Sequence, residues 1–202
     1  PKIKEAQKFV ENNLISKLVD NKSYDIIATS RNLEKAKAFH WFNQVTYIPY
    51  DLNNNNLVNL NSYFGNPDKV IHLAWEGLSN YNDPSHMEIL LFNHYNFVKN
   101  LIQNGLKDIV ITGTCFEYGL KNGILSENSS VSPSNSYAIS KDTLHKFIFE
   151  LKKRYSFNFK WVRLFYMYGE GQSEGTLISL LNKAIENKDK EFNMSGGEQL
   201  RD

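Results

Sequence analysis

Short apolar runs alternate with longer helical patterns along the whole chain, and this alternation constrains the fold more than any other feature. Runs rich in β-branched residues predict strands, whereas apolar residues that recur every three or four positions predict helices. The predicted strands are residues 23–30, 45–52, 69–75, 107–114 and the beginning of 159–169. The predicted helices are residues 32–42, 57–64, 84–105, 137–155 and 175–187. This order predicts an α/β fold in which a doubly wound parallel sheet carries helices on both faces.

Composition is that of an ordinary globular protein. The chain has 202 residues, of which 41% are apolar, enough for one domain or for one domain and part of a second. A net charge of +1 gives no field that would attract nucleic acid or an anionic membrane. The single cysteine, Cys115, excludes an internal disulfide and a multi-cysteine metal site. We therefore expect a cytoplasmic protein that binds no metal, no membrane and no nucleic acid.

Two tyrosine–lysine pairs have the spacing that brings both side chains to one face of a helix. Tyr95 and Lys99 lie in the middle of a predicted helix among apolar residues, so we interpret Tyr95 as packed and Lys99 as solvated. Tyr137 and Lys141 open the next helix, after a strand that ends at Thr114. Ligands of parallel α/β sheets bind beyond the carboxyl ends of the strands, which favours the second pair as functional. Without that context, Tyr137 and Lys141 would be better interpreted as exposed surface residues with no functional role.

The three side chains Thr114, Tyr137 and Lys141 can support a proton transfer next to a carbonyl group. Thr114 can hydrogen-bond a substrate carbonyl while Tyr137 gives or takes the proton. The positive charge of Lys141 is expected to lower the pKa of the Tyr137 phenol. The sequence thus predicts a catalytic centre made from a strand end and the helix that follows it.

Six segments resemble motifs of the extended short-chain dehydrogenase/reductases, also called the NAD-dependent epimerase/dehydratase family, whose members act on nucleotide sugars. They are VIHLAW, FNHYNFVKNLI, TCFEYG, PSNSYAISK, VRLFYMYGEGQ and GGEQLRD. Each motif alone is weak, but six in the family's order are specific. The resemblance covers roughly residues 23–202. It implies a Rossmann-like NAD(P)-binding domain over residues 1–170, and the start of an incomplete substrate-binding portion over residues 171–202.

The resemblance also implies roles for particular residues. Tyr137 is the implied acid/base, Lys141 its pKa partner and a ribose contact, and Thr114 the group that polarises the sugar carbonyl. The residues implied to bind the cofactor are Arg31, Asp51, Leu52, Leu73, Ala74, Tyr137 and Lys141. The residues expected to meet a nucleoside-diphosphate sugar are Trp75, Asn93, Glu117, Tyr166 and Arg201, the last at the diphosphate. Surface packing is an equal alternative for Trp75, whereas His72 is interpreted as a satisfied core histidine.

The resemblance to this family also limits which of its reactions the chain is expected to catalyse. Dehydratases of this family carry Asp-Glu directly after the threonine, and Cys115 and Phe116 stand at those positions here. Because neither residue can act as the acid or base that removes water, a 4,6-dehydratase is disfavoured. The chain looks most like reductases of nucleoside-diphosphate 4-keto-6-deoxyhexoses, which make deoxysugars for surface polysaccharides. An epimerase of the same family is the alternative, and a homodimer formed through helices 84–105 and 137–155 is expected from the resemblance.

Arg31, which follows the predicted strand 23–30, bears on the choice of cofactor. An acidic residue at such a position would hydrogen-bond the ribose of NAD, whereas an arginine can accept the 2′-phosphate of NADP. This favours NADP(H) over NAD(H). The alternative is that Arg31 only begins a surface helix.

The N-terminal segment departs from the family pattern. Glu5, Lys8 and Glu11 occupy the three positions of its G-x-x-G-x-x-G turn, whose glycines let the backbone approach the pyrophosphate. The segment instead has the spacing of one amphipathic helix, so the first strand and glycine-rich turn are expected to be replaced or missing. Three explanations stay open: a redesigned region, a non-catalytic binding or scaffold relative that has lost the dinucleotide site, or a sequence that misrepresents the N-terminus.

Overall fold

The computed structural model describes residues 4–53, 58–169, 171–172 and 174–194, with residues 4–9 described as backbone only. Its helices are α1 (Lys4–Asn21), α2 (Leu33–Lys37), α3 (Leu60–Tyr63), α4 (Leu91–Gln103), α5 (Ser136–Leu151) and α6 (Leu177–Glu186). Its strands are β1 (Ile27–Ala28), β2 (Thr46–Tyr47), β3 (Val70–His72), β4 (Asp108–Thr114) and β5 (Asn158–Leu164). Two 3-10 turns (Phe42–Gln44 and Cys115–Tyr118) and a π-helical turn (His86–Leu90) complete the order.

The strands pair in parallel, which confirms the predicted α/β, Rossmann-like class. β1 pairs with β2, and β4 lies between β3 and β5 in a second sheet. Arg31, just after β1, forms an ion pair with Glu76, just after β3, at 3.0 Å. The carboxyl ends of the two sheets therefore approach one another.

The N-terminal segment is a helix, as its apolar spacing predicts. α1 runs without interruption from Lys4 to Asn21. Its side chains Val10, Leu14 and Leu18 are only half-buried, so α1 lies at the margin of the core. Within the described ranges no strand joins the β1–β2 sheet to the β3–β5 sheet, in agreement with the expected replacement or loss of the first strand.

Some predicted elements prove shorter than their sequence pattern. The predicted strands 23–30 and 45–52 each contain only two ladder residues, although backbone hydrogen bonds between the two segments continue to Ser30 and Tyr50. The predicted helix 32–42 ends at Lys37 and gives way to a turn. The predicted helix 84–105 begins with the π-helical turn instead of a regular α-helix. Predicted helix 137–155 ends at Leu151.

The main core lies between the β3–β5 sheet and the helices α4 and α5. Its fully buried aliphatic residues are Val98, Leu101, Ile109, Ile111, Leu144 and Ile148. Each such side chain contributes about 1.5–3 kcal/mol when it leaves water. This packing fixes α5 against β4, and so places the first turn of α5 next to the carboxyl end of β4.

Among the described residues, every helix is too short or too polar to cross a membrane. Helix α6 follows the predicted domain boundary at residue 170, and Thr176 caps its start by accepting a hydrogen bond from the Ser179 amide. Its apolar side chains are largely exposed, including Leu177 and Ile185. The boundary itself stays a prediction.

Candidate functional site

Thr114 ends the central strand and begins a 3-10 turn. Its hydroxyl accepts a hydrogen bond from the Phe116 amide at 3.3 Å, and its own amide donates to the Glu117 carboxylate at 2.8 Å. These reciprocal bonds form a capping box, which satisfies the backbone donors at the start of the turn. The turn ends at Gly119, where φ is +74° and a Cβ would collide with the Ser132 carbonyl. The Thr114 hydroxyl is therefore held in place by its neighbours in sequence.

Tyr137 lies in the first turn of α5, beside Thr114. Asn135 caps the helix, and the Tyr137 amide donates to the Tyr81 carbonyl at 2.9 Å. Burial raises the pKa of the Tyr137 phenol, while a side-chain hydrogen bond with Thr114 opposes that rise. The phenol and the threonine hydroxyl therefore meet, as the sequence predicts for a catalytic pair.

Lys141 follows one turn later and is fully buried. Its Nζ donates to the Thr112 carbonyl at 2.8 Å and lies 4.2 Å from the centre of the Trp75 ring. Burial lowers the pKa of Lys141 to about 7, against an opposing effect of the Glu117 charge. Loss of solvation is the largest effect on the Tyr137 phenol and raises its pKa, so the expectation that Lys141 lowers that pKa stays a prediction.

Trp75 and three histidines form a buried wall beside this pair. Trp75 stacks on His94 at 4.3 Å and donates through Nε1 to His86 Nδ1 at 3.1 Å. His86 must then carry its proton on Nε2, which donates to the Asn80 carbonyl at 2.9 Å. His72 and His94 share a hydrogen bond of 2.7 Å, which confirms His72 as a satisfied core histidine.

Burial keeps the His72–His94 pair neutral, lowering the pKa of His72 to about 3 and that of His94 well below its usual range. Nothing in the sequence pattern alone brings His86 and His94 together with His72. The signal that could have placed His94 is its position in the helix packed on the strand that carries His72.

Two predicted substrate contacts need correction. Glu117 is fully buried, and its carboxylate accepts bonds from Thr114, Trp161 and Arg163, so it faces the interior and not a substrate. Trp75 is 4% exposed and belongs to the wall described above, so surface packing is wrong, and its contact with substrate stays a prediction.

The remaining predicted substrate residues are scattered. Asn93 donates to the Asn53 side chain at 2.7 Å on the exposed face of α4. Tyr166 is half-exposed after β5. Arg201 lies outside the described residues.

The predicted cofactor residues do follow strand ends. Leu73 and Ala74 are half-buried directly after β3, and Leu52 packs against the main core. Asp51 accepts hydrogen bonds from the amide and side chain of Asn53. Arg31 is engaged with Glu76 at 3.0 Å, so its guanidinium is not the free anion receptor that the sequence suggested.

A dinucleotide fits one end of this site and not the other. Tyr137 and Lys141, which the family resemblance assigns to the ribose and nicotinamide, lie in α5 beside the carboxyl end of β4, and that assignment stays a prediction. Two of the three glycine positions, Lys8 and Glu11, lie inside the continuous helix α1, where interior amides bond to carbonyls four residues earlier and are unavailable to phosphate. The described residues therefore supply no glycine turn for the pyrophosphate.

Glu117, Asp142 and His145 bring ligand atoms within 4.8 Å of one another. The two carboxylates are already paired, Glu117 with Arg163 and Asp142 with Lys146, each at 2.6 Å. His145 stacks on Trp161 at 4.8 Å. This cluster is a charge-compensated network beneath the site, and its geometry does not call for a cation.

Comparisons with known proteins place this fold. A curated relative, the dTDP-6-deoxy-L-talose 4-dehydrogenase (NAD(+)) of Aggregatibacter actinomycetemcomitans, is 30% identical over 138 residues, 68% of this chain and 51% of the relative. The chain therefore spans about half the length of that protein.

Two solved structures share the fold at low identity. A UDP-glucose 4-epimerase from Thermotoga maritima, with UDP-glucose, is 16% identical, covers 95% of this chain and 64% of its own, and has a TM-score of 0.77. A UDP-glucuronic acid 4-epimerase from Bacillus cereus, in complex with UDP-glucuronic acid and NAD, is 19% identical, covers 87% of this chain and 59% of its own, and has a TM-score of 0.68. The model of the NAD dependent epimerase/dehydratase family matches residues 8–202. The chain belongs to this family.

Proposed function

We propose that this chain carries the catalytic centre of a nucleotide-sugar oxidoreductase, which reduces the 4-keto group of a nucleoside-diphosphate 4-keto-6-deoxyhexose with NAD(P)H. The observation that carries the proposal is that the Tyr137 phenol lies beside the Thr114 hydroxyl at the carboxyl end of β4, with the buried Lys141 amine 6.0 Å from the centre of the Tyr137 ring. The curated relative is named for redox chemistry at position 4 of a dTDP-6-deoxy sugar, which supports the same reaction type.

The chain's own residues divide the work of such a reduction. When bound, a nicotinamide dinucleotide supplies the hydride. Burial raises the pKa of Tyr137, so the phenol stays protonated near neutral pH and can donate its proton to a developing alkoxide. The Thr114 hydroxyl, fixed by the capping box, can donate to the same oxygen.

The dinucleotide preference rests, in this proposal, on the pair formed by Arg31 and Glu76. Arg31 supports NADP(H), because a guanidinium can bind a 2′-phosphate in a bidentate manner. Glu76 disfavours NADP(H), because its carboxylate neutralises Arg31 at 3.0 Å and would repel the 2′-phosphate. The curated relative is named for NAD(+), which agrees with the effect of Glu76 against a 2′-phosphate.

A second candidate is a non-catalytic binding or scaffold protein with the same fold. The continuous helix α1 at the glycine positions favours it specifically. Calorimetric titration with NADPH and NADH separates the two: binding of either supports the oxidoreductase, and binding of neither supports the scaffold. An epimerase of the same family is distinguished by its products, since it would invert a nucleotide sugar without net consumption of reduced cofactor.

A homodimer formed by the helices around α4 and α5 also stays a proposal. Apolar side chains are exposed on both helices or on the π-helical turn before α4, and they are Ile89, Phe92, Ile139, Phe147 and Phe149. Light scattering that gives a monomeric mass would contradict it. A cytoplasmic location is proposed on the sequence alone.

The decisive experiment compares Tyr137→Phe with Tyr95→Phe in a turnover assay on a nucleoside-diphosphate 4-keto-6-deoxyhexose. Both tyrosines have a lysine four residues on, but Tyr95 packs against Phe147 at 5.3 Å. Loss of the proton donor is expected to lower kcat about 10²- to 10⁴-fold in Tyr137→Phe, with little change in Tyr95→Phe. Retained activity in Tyr137→Phe would refute the assignment.

A further inference from the structure

We propose that Glu117 is a positioning residue of this site, whose carboxylate fixes the Thr114 end of β4 against β5 in the same buried interior that holds Lys141. The inference rests on the proposed roles of Thr114 and Lys141. It replaces the expectation that Glu117 meets substrate.

The Glu117 carboxylate is the point where the strand end, the turn and β5 are joined. Its Oε1 accepts from the Thr114 amide at 2.8 Å and from Trp161 Nε1 at 3.1 Å. Its Oε2 accepts from Trp161 Nε1 at 3.0 Å and from Arg163 Nε at 2.6 Å. A fully buried carboxylate with this many donors, one of them cationic, is held in one geometry. Thr114 is therefore tied to two residues of β5 through a side chain three positions away.

The neighbouring glycine provides the space for this arrangement. A Cβ at Gly113 would collide with both Trp161 Nε1 and Glu117 Oε1. Since the Trp161–Glu117 hydrogen bond passes directly over Gly113, any side chain there would displace it. The absence of a side chain at Gly113 therefore allows the hydrogen bond between Glu117 and Trp161 to form next to Thr114.

The same carboxylate bears on the buried amine. The titratable groups that face Lys141 are Glu117 from the turn, Tyr137 from its own helix, and His72 and His94 from β3 and α4. Burial keeps the two histidines neutral and the phenol protonated. Glu117 is therefore the group of opposite charge among them, and its charge acts on Lys141 against the effect of burial.

The first test is an NMR titration of lysine-labelled protein, with the Lys141 signal identified by its loss in Lys141→Met. Glu117→Gln keeps a hydrogen-bond acceptor but removes the charge, and the Lys141 midpoint is expected to fall by about half a pH unit or more. The matched control is Asp142→Asn, because Asp142 is also buried and adjoins Lys141 but is paired with Lys146 at 2.6 Å. In that control the midpoint should not move. An unchanged midpoint in Glu117→Gln, or an equal fall in Asp142→Asn, would overturn the proposal.

A second variant tests position separately from charge. Glu117→Asp keeps the charge but withdraws the carboxylate by one methylene, so the Thr114 amide should exchange with solvent at least about tenfold faster. Wild-type protection of that amide would overturn the positioning role.

If Glu117→Gln does not fold, Arg163→Gln takes its place. Removing the cation that balances Glu117 should raise the Lys141 midpoint, and no rise would again overturn the proposal. Neither readout needs substrate or cofactor, so failure of this inference is distinguishable from failure of the proposed reaction.

Discussion

The Lys141 ammonium lies 4.2 Å from the centre of the Trp75 ring, and its hydrogen bond goes to the Thr112 carbonyl at 2.8 Å. The face of an indole ring is the best aromatic surface for a cation, and a carbonyl oxygen is a good acceptor. These two contacts, with the charge of Glu117, partly offset the loss of water around a fully buried amine. The offset is incomplete, because the pKa of Lys141 still falls to about 7.

Replacing this amine should stabilise the fold in a pH-dependent manner. The folded-state pKa of Lys141 is about 7 against 10.5 for a free side chain, so between these values the unfolded chain binds more protons than the folded one. Wild-type stability should therefore rise with pH from about 7 to about 10.5 on account of this group. Lys141→Met should be more stable than wild type near pH 7, by on the order of 1–4 kcal/mol, and this advantage should shrink as pH rises.

Urea unfolding at a series of pH values measures that difference. Lys99→Met is the matched control, because Lys99 also lies over an aromatic ring, that of Tyr95, at 5.8 Å, but is only half-buried. Its effect on stability should not vary over the same pH range. An advantage of Lys141→Met that stays constant with pH would contradict the prediction.

The sequence was sufficient to place the two tyrosine–lysine pairs in the fold, because their placement depended on element order, while the catalytic role of the second pair stays a prediction. A parallel sheet brings strand ends to one edge, so Thr114 and the first turn of α5 could be placed together from topology alone. The helix at the N-terminus was also predictable, since its spacing and its lack of glycine favour a helix over a strand and a turn.

What sequence could not supply was the direction in which individual side chains point. Glu117 and Trp75 both follow strand ends, where ligand contacts are expected, yet both turn into the interior. Their burial depends on partners outside their own motif: Arg163 donates to the Glu117 carboxylate, and His86 accepts from the Trp75 indole. The sequence could not supply the sign of the Tyr137 pKa shift for the same reason. Loss of solvation raises this pKa, and it depends on how closely Trp75 and Tyr81 cover the ring.

The buried His72–His94 pair should make the protein sensitive to acid. Burial lowers the pKa of His72 to about 3, from 6.5 in a free side chain. As pH falls below 6.5 the unfolded chain takes up protons that the folded chain cannot, so stability should fall, by about 1–3 kcal/mol by about pH 4.5. His72→Gln cannot be protonated and should show a shallower loss in urea unfolding over this range. A loss as steep as that of wild type would show that other groups cause it.

Gly113→Ala tests the close packing over the strand end. The new methyl group would collide with Trp161 and Glu117, and overpacking of this kind costs about 1–3 kcal/mol. Gly123→Ala is the comparison, because a Cβ there meets nothing within 4 Å and only the backbone, at φ +93°, is strained. Chemical unfolding measures the loss of stability. In hydrogen exchange, Gly113→Ala should also weaken the protection of the Thr114 amide, whereas Gly123→Ala should leave that protection unchanged. Equal protection in both variants would contradict the packing argument.

Glu76→Gln should shift the dinucleotide preference toward the 2′-phosphorylated form. The carboxylate of Glu76 holds Arg31 at 3.0 Å, and both side chains are partly exposed, at 31% and 45%. Exposed pairs of this kind are worth about 0.2–1 kcal/mol, so removing the charge should improve binding of 2′-phospho-ADP-ribose relative to ADP-ribose by about 1.4- to fivefold. Calorimetry at low ionic strength measures the ratio, because salt screens exposed charges.

Glu34→Gln is the matched control for that shift. Glu34 is also an exposed carboxylate near Arg31 in sequence, but it pairs with Lys37 at 2.8 Å, so its removal should leave the ratio unchanged. Arg31→Gln, alone or with Glu76→Gln, should abolish the gain, since the gain needs the guanidinium. An unchanged ratio in Glu76→Gln would show that Glu76 does not control the preference. Binding of neither ligand to wild type would instead locate the defect in α1, where a helix stands in place of the glycine turn.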